Sequence, residues 1–218
     1  MKRILVIVAV EAERAALGAH CLASPAVHVV VAGIGRTNAA AATAETLAEA
    51  RAAGTPFAAV ISTGIAGALP GSNLSIGAVI VADVCIYAEE GIALPEGQGD
   101  MRALGFSLGD FEGNRVPVDA ALLVAFRELG PACAIATVAT CSGTDAAALA
   151  VRTRTGAMAE AMEGAAVVHA ARRAGVPAIE VRSISNTTGD RPKQRWDIAA
   201  AFTALARVGD EILKFAQS

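Results

Sequence analysis

Residues 4–10 read Ile-Leu-Val-Ile-Val-Ala-Val, seven apolar residues without a break. A short apolar run rich in β-branched residues is typical of a strand that is buried on both faces. Glu11, Glu13 and Arg14 follow at once, where a secretory signal would have a small-residue cleavage site. The stretch therefore predicts the first strand of a sheet in a cytoplasmic protein.

Further short apolar runs recur along the chain, at residues 27–32, 59–63, 78–84, 133–140 and 178–184. Between several of them lie alanine-rich stretches that predict helices, at residues 38–53, 119–129, 162–174 and, closing the chain, 197–218. Strands that alternate with helices predict an α/β fold around a mixed or parallel sheet. Because no linker divides the chain, we expect one domain over residues 1–218.

The composition excludes several classes of protein. With 54% apolar and 18% charged residues, the chain is neither disordered nor a coiled coil. A net charge of −3 and an aromatic share of 4% argue against binding to nucleic acid. No run approaches the roughly 18 apolar residues that span a bilayer. We therefore expect a small-molecule partner, with no nucleic acid and no membrane.

The four cysteines lack a Cys-x-x-Cys pair and lack zinc-site spacing, so we expect them to be buried and reduced. Cys141 could act as a nucleophile, but no histidine lies near it in sequence to activate the thiol. Glu11 and Glu13 are stronger candidates, because ligand sites of α/β sheets lie beyond the carboxyl ends of strands. From this fragment alone, acids that complement a helix dipole are the simpler interpretation.

Two glycine-rich segments follow later strands. Residues 33–38 (GIGRTN) lack the third glycine of a dinucleotide fingerprint, since Asn38 stands in its place. They favour a tight turn that brings the backbone close to a ligand or to another strand. Residues 62–68 (STGIAGA) predict a turn of small residues, which would either let a ligand approach the backbone or allow close packing.

Residues 87–117 are rich in glycine, proline and acidic residues, and they predict an excursion that covers the substrate.

Two further segments carry candidate polar groups. In residues 161–166 (AMEGAA), small neighbours leave the Glu163 carboxylate room beside a flat apolar ligand, although a solvated glutamate fits equally well. Residues 181–186 (VRSISN) end a strand in small polar groups and the amide of Asn186. That amide suits hydrogen bonds to a heterocycle, or support of the turn that follows.

Taken in order, these segments resemble the nucleoside phosphorylase and nucleosidase superfamily. Residues 162–166, 183–186 and 189–191, with Trp196, are most similar to the futalosine hydrolases. The resemblance implies a three-layer α/β fold with a mixed central sheet flanked by helices. It also implies hydrolysis of the N-ribosidic bond of futalosine, releasing hypoxanthine and dehypoxanthine futalosine in the alternative menaquinone pathway. Neither a metal nor an organic cofactor is implied, and the protein is expected to be a homo-oligomer of two or more copies.

The resemblance also assigns roles to residues that match the family pattern. Glu13 falls at the carboxylate that activates the attacking water. Glu163 matches the position of the glutamate that binds the ribose hydroxyls, and Met162 matches a residue that packs against the sugar. Gly67 falls in the turn that meets base and sugar, and Ala147 falls near a base-contacting position.

Asn186 stands where related adenine nucleosidases carry an aspartate. An asparagine amide offers both a donor and an acceptor. It therefore suits a 6-oxopurine such as hypoxanthine better than adenine. The resemblance also implies a carboxylate on the 5′ substituent of the substrate, for which Arg36, Arg102 and Arg191 are the candidate partners.

Residues 62–65 (STGI) lack the Arg-x-Gly-Ser arrangement with which phosphorylases of this superfamily often hold phosphate. Losing the charge-assisted hydrogen bonds of that arrangement favours water as the nucleophile. The alternatives are a methylthioadenosine, S-adenosylhomocysteine or aminodeoxyfutalosine nucleosidase, and a purine nucleoside phosphorylase. A non-catalytic nucleoside-binding protein is the alternative from a different class.

Overall fold

The computed structural model describes residues 1–95 and 97–218. Its strands are β1 (Ile4–Val8), β2 (Val27–Val31), β3 (Ala59–Ala68), β4 (Val79–Tyr87), β5 (Ile92–Leu94), β6 (Gly97–Gly99), β7 (Arg115–Pro117), β8 (Ala132–Thr137), β9 (Ala159–Ala161) and β10 (Ala178–Thr187). Its helices are α1 (Glu11–Ala16), α2 (Ala19–Ala23), α3 (Arg36–Ala52), α4 (Met101–Leu104), α5 (Ala120–Phe126), α6 (Asp145–Thr155), α7 (Gly164–Arg173) and α8 (Ile198–Gln217). Short 3-10 turns cover Arg127–Leu129 and Arg191–Lys193. Among the described residues, none of the helices has the length and apolar character needed to cross a membrane.

The main sheet is mixed, with the strand order β10-β4-β8-β9-β3-β1-β2 and with β7 paired to β4. Strands β2, β1, β3 and β10 run parallel to one another, whereas β4 is antiparallel to β10 and β9 is antiparallel to β3. Because β10 also pairs with β3, the strands β3, β9, β8, β4 and β10 close into a ring. This topology brings the carboxyl ends of β1, β3 and β10 to one edge.

Strand β1 explains why the opening run is continuously apolar. Leu5 and Ile7 belong to a core cluster that includes residues of α3 and α7, while Ile4, Val6 and Val8 belong to a second cluster that includes residues of α8. Alternate side chains of a strand point to opposite faces, so both faces of β1 are covered by helices. The structure therefore has helix, sheet and helix layers, and the predicted three-layer α/β fold is confirmed.

Two local predictions need correction. Residues 62–68 do not form a turn, because β3 continues to Ala68 and stays paired with β10 along this stretch. Residues 87–117 form the β5–β6 hairpin, α4 and β7, and β7 anchors the segment to the edge of β4. Glu96, which belongs to this segment, lies outside the described residues.

Candidate active site

A cavity of about 520 Å³ opens where β1, β3 and β10 end. Its volume lies in the range of roughly 300–1,000 Å³ that is typical of small-molecule sites. The position agrees with the rule that ligands of α/β sheets bind beyond the carboxyl ends of strands. The polar side chains that line it are those of Glu13, Ser142, Glu160, Glu163, Ser185, Asn186, Arg191 and Gln194.

Glu13 lies at the inner wall of the cavity, where its residue is only 3% exposed. Its Oε2 accepts the backbone N–H groups of Ala9 at 2.8 Å and Val10 at 3.3 Å, and its Oε1 accepts that of Ile65 at 2.9 Å. These contacts fix the carboxylate and leave a lone pair of Oε1 free. Glu11, in contrast, is exposed and pairs with a neighbouring arginine on the surface. Of the two acids after β1, only Glu13 lines the cavity.

Glu163 immediately precedes α7 and is 5% exposed. Its Oε1 accepts the backbone N–H of Gly35 at 3.0 Å, and its Oε2 accepts Nη2 of Arg182 at 3.1 Å. The turn of residues 33–38 thus brings its backbone to a side chain from a distant helix terminus, as the positive φ of 94° at Gly35 allows. Met162, the preceding residue, also lines the cavity.

Asn186 and Gly67 meet at another wall of the same cavity. Oδ1 of Asn186 accepts the hydroxyl of Ser185 at 2.8 Å, and Nδ2 donates to the carbonyl of Thr187 at 3.0 Å. One amide hydrogen and one oxygen lone pair remain for a ligand. A Cβ at Gly67 would lie 2.8 Å from Cγ2 of Thr188 and 3.1 Å from Nδ2 of Asn186. Glycine at this position therefore leaves the amide undisturbed.

The structure brings Glu13, Gly67, Met162, Glu163 and Asn186 into one cavity. Ala147 is not among the lining residues. It is exposed in the first turn of α6, where its backbone N–H donates to the hydroxyl of the N-cap residue Thr144. Of the described residues in 87–117, none lines this cavity, so that segment does not cover it within the single chain.

Among the three candidate arginines, Arg191 lines the cavity. Its guanidinium lies 4.8 Å from the ring centre of Trp196 and donates to Gln194 at 2.9 Å. Arg36 and Arg102 each pair with two acidic side chains and do not line the cavity. Arg191 is therefore the cation available at the cavity mouth.

Sequence reasoning missed Glu160, a third carboxylate of the cavity. It is 5% exposed, and it accepts both the N–H of Ser142 at 2.8 Å and the hydroxyl of Ser142 at 2.6 Å. Burial raises the pKa of Glu160, while the hydrogen bonds from Ser142 act in the opposite direction. A glutamate three residues before Glu163, inside a very short buried strand, is the signal that pointed to it.

Arg182 and Glu180 were missed as well. Both lie in β10, and their exposed fractions are 1% and 0%. Nε of Arg182 donates to Oε1 of Glu180 at 2.9 Å. Burial opposes the charged form of Arg182, but attraction to Glu180, Glu163 and Glu13 outweighs it and raises the pKa of the guanidinium. Two charged residues spaced by two share a face of a strand, and their alternation with Ile179 and Val181 was the available signal.

Residues 3–214 match the phosphorylase superfamily. The chain belongs to the phosphorylase superfamily. Within the superfamily it is 35% identical over 178 residues to a futalosine hydrolase from Streptomyces coelicolor, a match that covers 81% of this chain and 74% of that protein. It is also 37% identical over 184 residues to a futalosine hydrolase from Thermus thermophilus, with coverages of 83% and 78%.

Solved structures share the fold of this chain. An S-adenosylhomocysteine nucleosidase from Streptococcus pyogenes superposes with a TM-score of 0.77 at 24% identity, covering 98% of this chain and 97% of that one. A futalosine hydrolase mutant from Helicobacter pylori superposes with a TM-score of 0.73 at 17% identity, with coverages of 99% and 100%. At these identities the structural likeness establishes the superfamily fold.

Proposed function

We propose that this chain hydrolyses the N-ribosidic bond of futalosine, releasing hypoxanthine and dehypoxanthine futalosine in the alternative menaquinone pathway. The observation that carries the proposal is the meeting of Glu13, Glu163 and Asn186 in one cavity. The similarity to futalosine hydrolases of two organisms supports the choice of substrate.

The sugar end of the mechanism rests on Glu163. Oε1 accepts one protein N–H and keeps a lone pair for the ribose 2′ and 3′ hydroxyls. As the C1′–N9 bond stretches, positive charge develops on the ribose ring. The nearby carboxylate stabilises that charge, so it acts more strongly in the transition state than on the bound substrate.

The nucleophile is a water molecule held by Glu13. Its oxygen forms the new bond to C1′ while Glu13 accepts the proton, a general-base role worth about 10²–10⁴ in rate. The electron pair of the broken bond leaves with the base, which then takes up a proton. Water and base lie on opposite faces of the ribose, so the configuration at C1′ inverts.

The leaving hypoxanthine is hydrogen-bonded by Asn186. The free amide hydrogen of this residue faces an acceptor of the base, where negative charge gathers as the bond breaks. The free lone pair of Oδ1 accepts from an N–H of the 6-oxopurine. On the edge that carries O6 and N1–H, adenine reverses donor and acceptor, and the amide cannot flip to match because its contacts with Ser185 and Thr187 fix its orientation.

Water is favoured over phosphate by the charges inside the cavity. Glu13, Glu160 and Glu163 are all carboxylates, and a bound dianion next to them would be repelled. Arg182, the cation behind them, already pairs with Glu163 and Glu180. The reaction is therefore a hydrolysis and not a phosphorolysis.

We further propose that residues 1–218 act as one domain in a cytoplasmic homo-oligomer of two or more copies. Ile34 at the cavity mouth is 58% exposed and Phe106 is 71% exposed, and a second copy would cover such apolar side chains. Cysteines without disulfides are typical of a reducing compartment. Light scattering after size-exclusion chromatography tests the assembly, and a mass equal to that of one copy would contradict it. A single melting transition is the result expected for one domain.

Chromatography of free base tests the activity. Purified protein is mixed in phosphate-free buffer with futalosine, aminodeoxyfutalosine, methylthioadenosine or inosine. We expect hypoxanthine from futalosine at a rate that added phosphate leaves unchanged. Release that requires phosphate would make the protein a phosphorylase, and preference for methylthioadenosine would make it an adenine nucleosidase. Binding without release would make it a nucleoside-binding protein.

A further inference from the structure

Glu180 is a buried carboxylate that contacts the cavity only through other side chains. Its residue is 0% exposed, and its Oε1 accepts Nε of Arg182 at 2.9 Å. Nη2 of the same guanidinium donates to Oε2 of Glu163 at 3.1 Å. A continuous chain of two buried ion pairs thus joins Glu180 to the carboxylate proposed to hold the ribose.

The remaining contacts of Arg182 are weak. Nη1 reaches the carbonyl of Ile65 at 3.4 Å, and Nη2 reaches Oγ of Ser62 at 3.4 Å. These are at the long end of hydrogen-bond distances. The orientation of the guanidinium plane therefore depends chiefly on its two carboxylate partners, and Glu180 holds the Nε edge.

Glu180 also touches the start of the helix that Glu163 precedes. A Cβ added to Gly164 would overlap with the Glu180 carboxyl group. The backbone of the first residue of α7 therefore packs directly on this carboxyl. Moving or shortening the Glu180 side chain therefore disturbs Glu163 in two ways. It shifts Arg182, which pairs with the Glu163 carboxylate, and it loosens the packing of the first residue of α7, which follows Glu163 in the chain.

The titratable groups around this cluster come from α1, from the residue before α7, from β4, and from β8, where Cys133 feels the charge of Glu180. Arg182 attracts Glu163 before α7 and Glu13 on α1 in addition to Glu180. On its other side Glu180 faces the thiol of Cys85 on β4. Burial raises the pKa of Glu180, and attraction to Arg182 opposes that shift. One positive charge is thus shared among three carboxylates, of which Glu180 alone does not line the cavity.

We propose that Glu180 is a positioning residue that orients Arg182 toward Glu163 and offsets part of its charge, so that Glu13 remains able to accept a proton. This inference rests on the proposed function. With Glu180 neutralised, Arg182 attracts the other two carboxylates without competition. The potential at the cavity then becomes more positive, which opposes the uptake of a proton there.

Three variants separate this role from a purely structural one. Glu180→Gln keeps the shape and an acceptor oxygen but removes the charge. Glu180→Asp keeps the charge but shortens the reach. Cys85→Ser disturbs packing beside Glu180 but keeps a hydrogen-bond donor toward its carboxyl and leaves every charge of the cluster in place. Each is measured for melting temperature, kcat, KM and the pH dependence of kcat/KM with futalosine.

We expect Glu180→Gln to lower kcat by about tenfold or more and to shift the acid limb of its pH profile to lower pH. Glu180→Asp should retain the wild-type acid limb with an intermediate kcat. Cys85→Ser should lower the melting temperature without moving the acid limb. Folded Glu180→Gln with the wild-type kcat and acid limb overturns the proposal. If Glu180→Gln does not fold, a wild-type kcat in Glu180→Asp overturns it instead.

Parallel assay of the wild type keeps this test separate from the proposed function. An active wild type with an unaffected Glu180→Gln variant refutes the positioning role alone. A wild type that releases no hypoxanthine refutes the proposed function, and the variants are then compared by calorimetry for affinity to inosine. Glu180→Gln should weaken that affinity about tenfold, because Glu163 loses its alignment. Equal affinities for wild type and variant overturn the positioning role.

Discussion

Gly35 donates its backbone N–H to Oε1 of Glu163 at 3.0 Å, although 128 positions separate the two residues in the chain. The contact joins the turn after β2 to the residue that precedes α7. It holds the oxygen that we propose to bind the ribose hydroxyls. A φ of 94° at Gly35 is a conformation that residues with a side chain rarely adopt.

Substituting Gly35→Ala is expected to raise KM by about tenfold with a smaller change in kcat, because the strained backbone shifts the N–H away from Glu163. Gly54→Ala is the matched control. Gly54 also has a positive φ, 68°, and open space around its Cβ position, but it donates to Arg51 at the end of α3. Steady-state kinetics of both variants test this prediction. Equal KM values for Gly35→Ala and Gly54→Ala would mean that backbone strain in general, and not the contact with Glu163, changes KM.

Glu13→Gln should lower kcat by about 10²–10⁴ while the nucleoside still binds, because glutamine cannot accept the proton of water. Its single side-chain oxygen can accept the N–H groups of Ala9 and Val10 or that of Ile65, so we expect a folded protein with a somewhat lower melting temperature. Glu11→Gln, two residues earlier on the exposed side of α1, should leave kcat unchanged. The measurement is base release combined with inosine binding. Near wild-type turnover in folded Glu13→Gln contradicts the general-base role.

Asn186→Asp should shift the ratio of kcat/KM for futalosine over aminodeoxyfutalosine toward the adenine substrate by about tenfold or more. The aspartate loses the amide hydrogens that now face the carbonyl of Thr187 and the cavity. Asn38→Asp makes the same chemical change on the surface and should leave the ratio unaltered. An unchanged ratio in Asn186→Asp would refute base recognition by this residue.

Cys141 is exposed and lines the cavity, whereas the other three cysteines are buried. Partial burial, with Glu160 and Glu163 nearby, raises the pKa of its thiol. At pH 8 the thiolate fraction is therefore smaller than that of an ordinary cysteine, and labelling should be slower and should keep rising at higher pH. A maleimide should label one thiol per native chain, and inosine should slow the reaction. Cys141→Ser should abolish it; labelling that inosine does not affect would place the nucleoside elsewhere.

Much of the fold was predictable from local patterns. The opening run at residues 4–10 predicts a strand that is covered on both faces, and Leu5 and Val6 do belong to different core clusters. Residues 62–68 were misjudged, because glycines that usually mark a turn here sit in a strand paired with β10. A pairing with a strand more than 110 residues later leaves no signal in the local sequence.

Local sequence specifies which residue types lie at the strand ends. Glu13, Glu163 and Asn186 were identifiable because each lies close to the end of an apolar segment or a predicted strand, within segments that resemble one superfamily. Which of these groups meet, and which contacts hold them, depends on the packing of distant elements. The Gly35 contact, the Ser142–Glu160 pair and the Glu180–Arg182–Glu163 chain all join residues brought together by packing. Local sequence encodes burial and backbone conformation through near neighbours, whereas the orientation of a carboxylate depends on donors supplied by distant strands and turns.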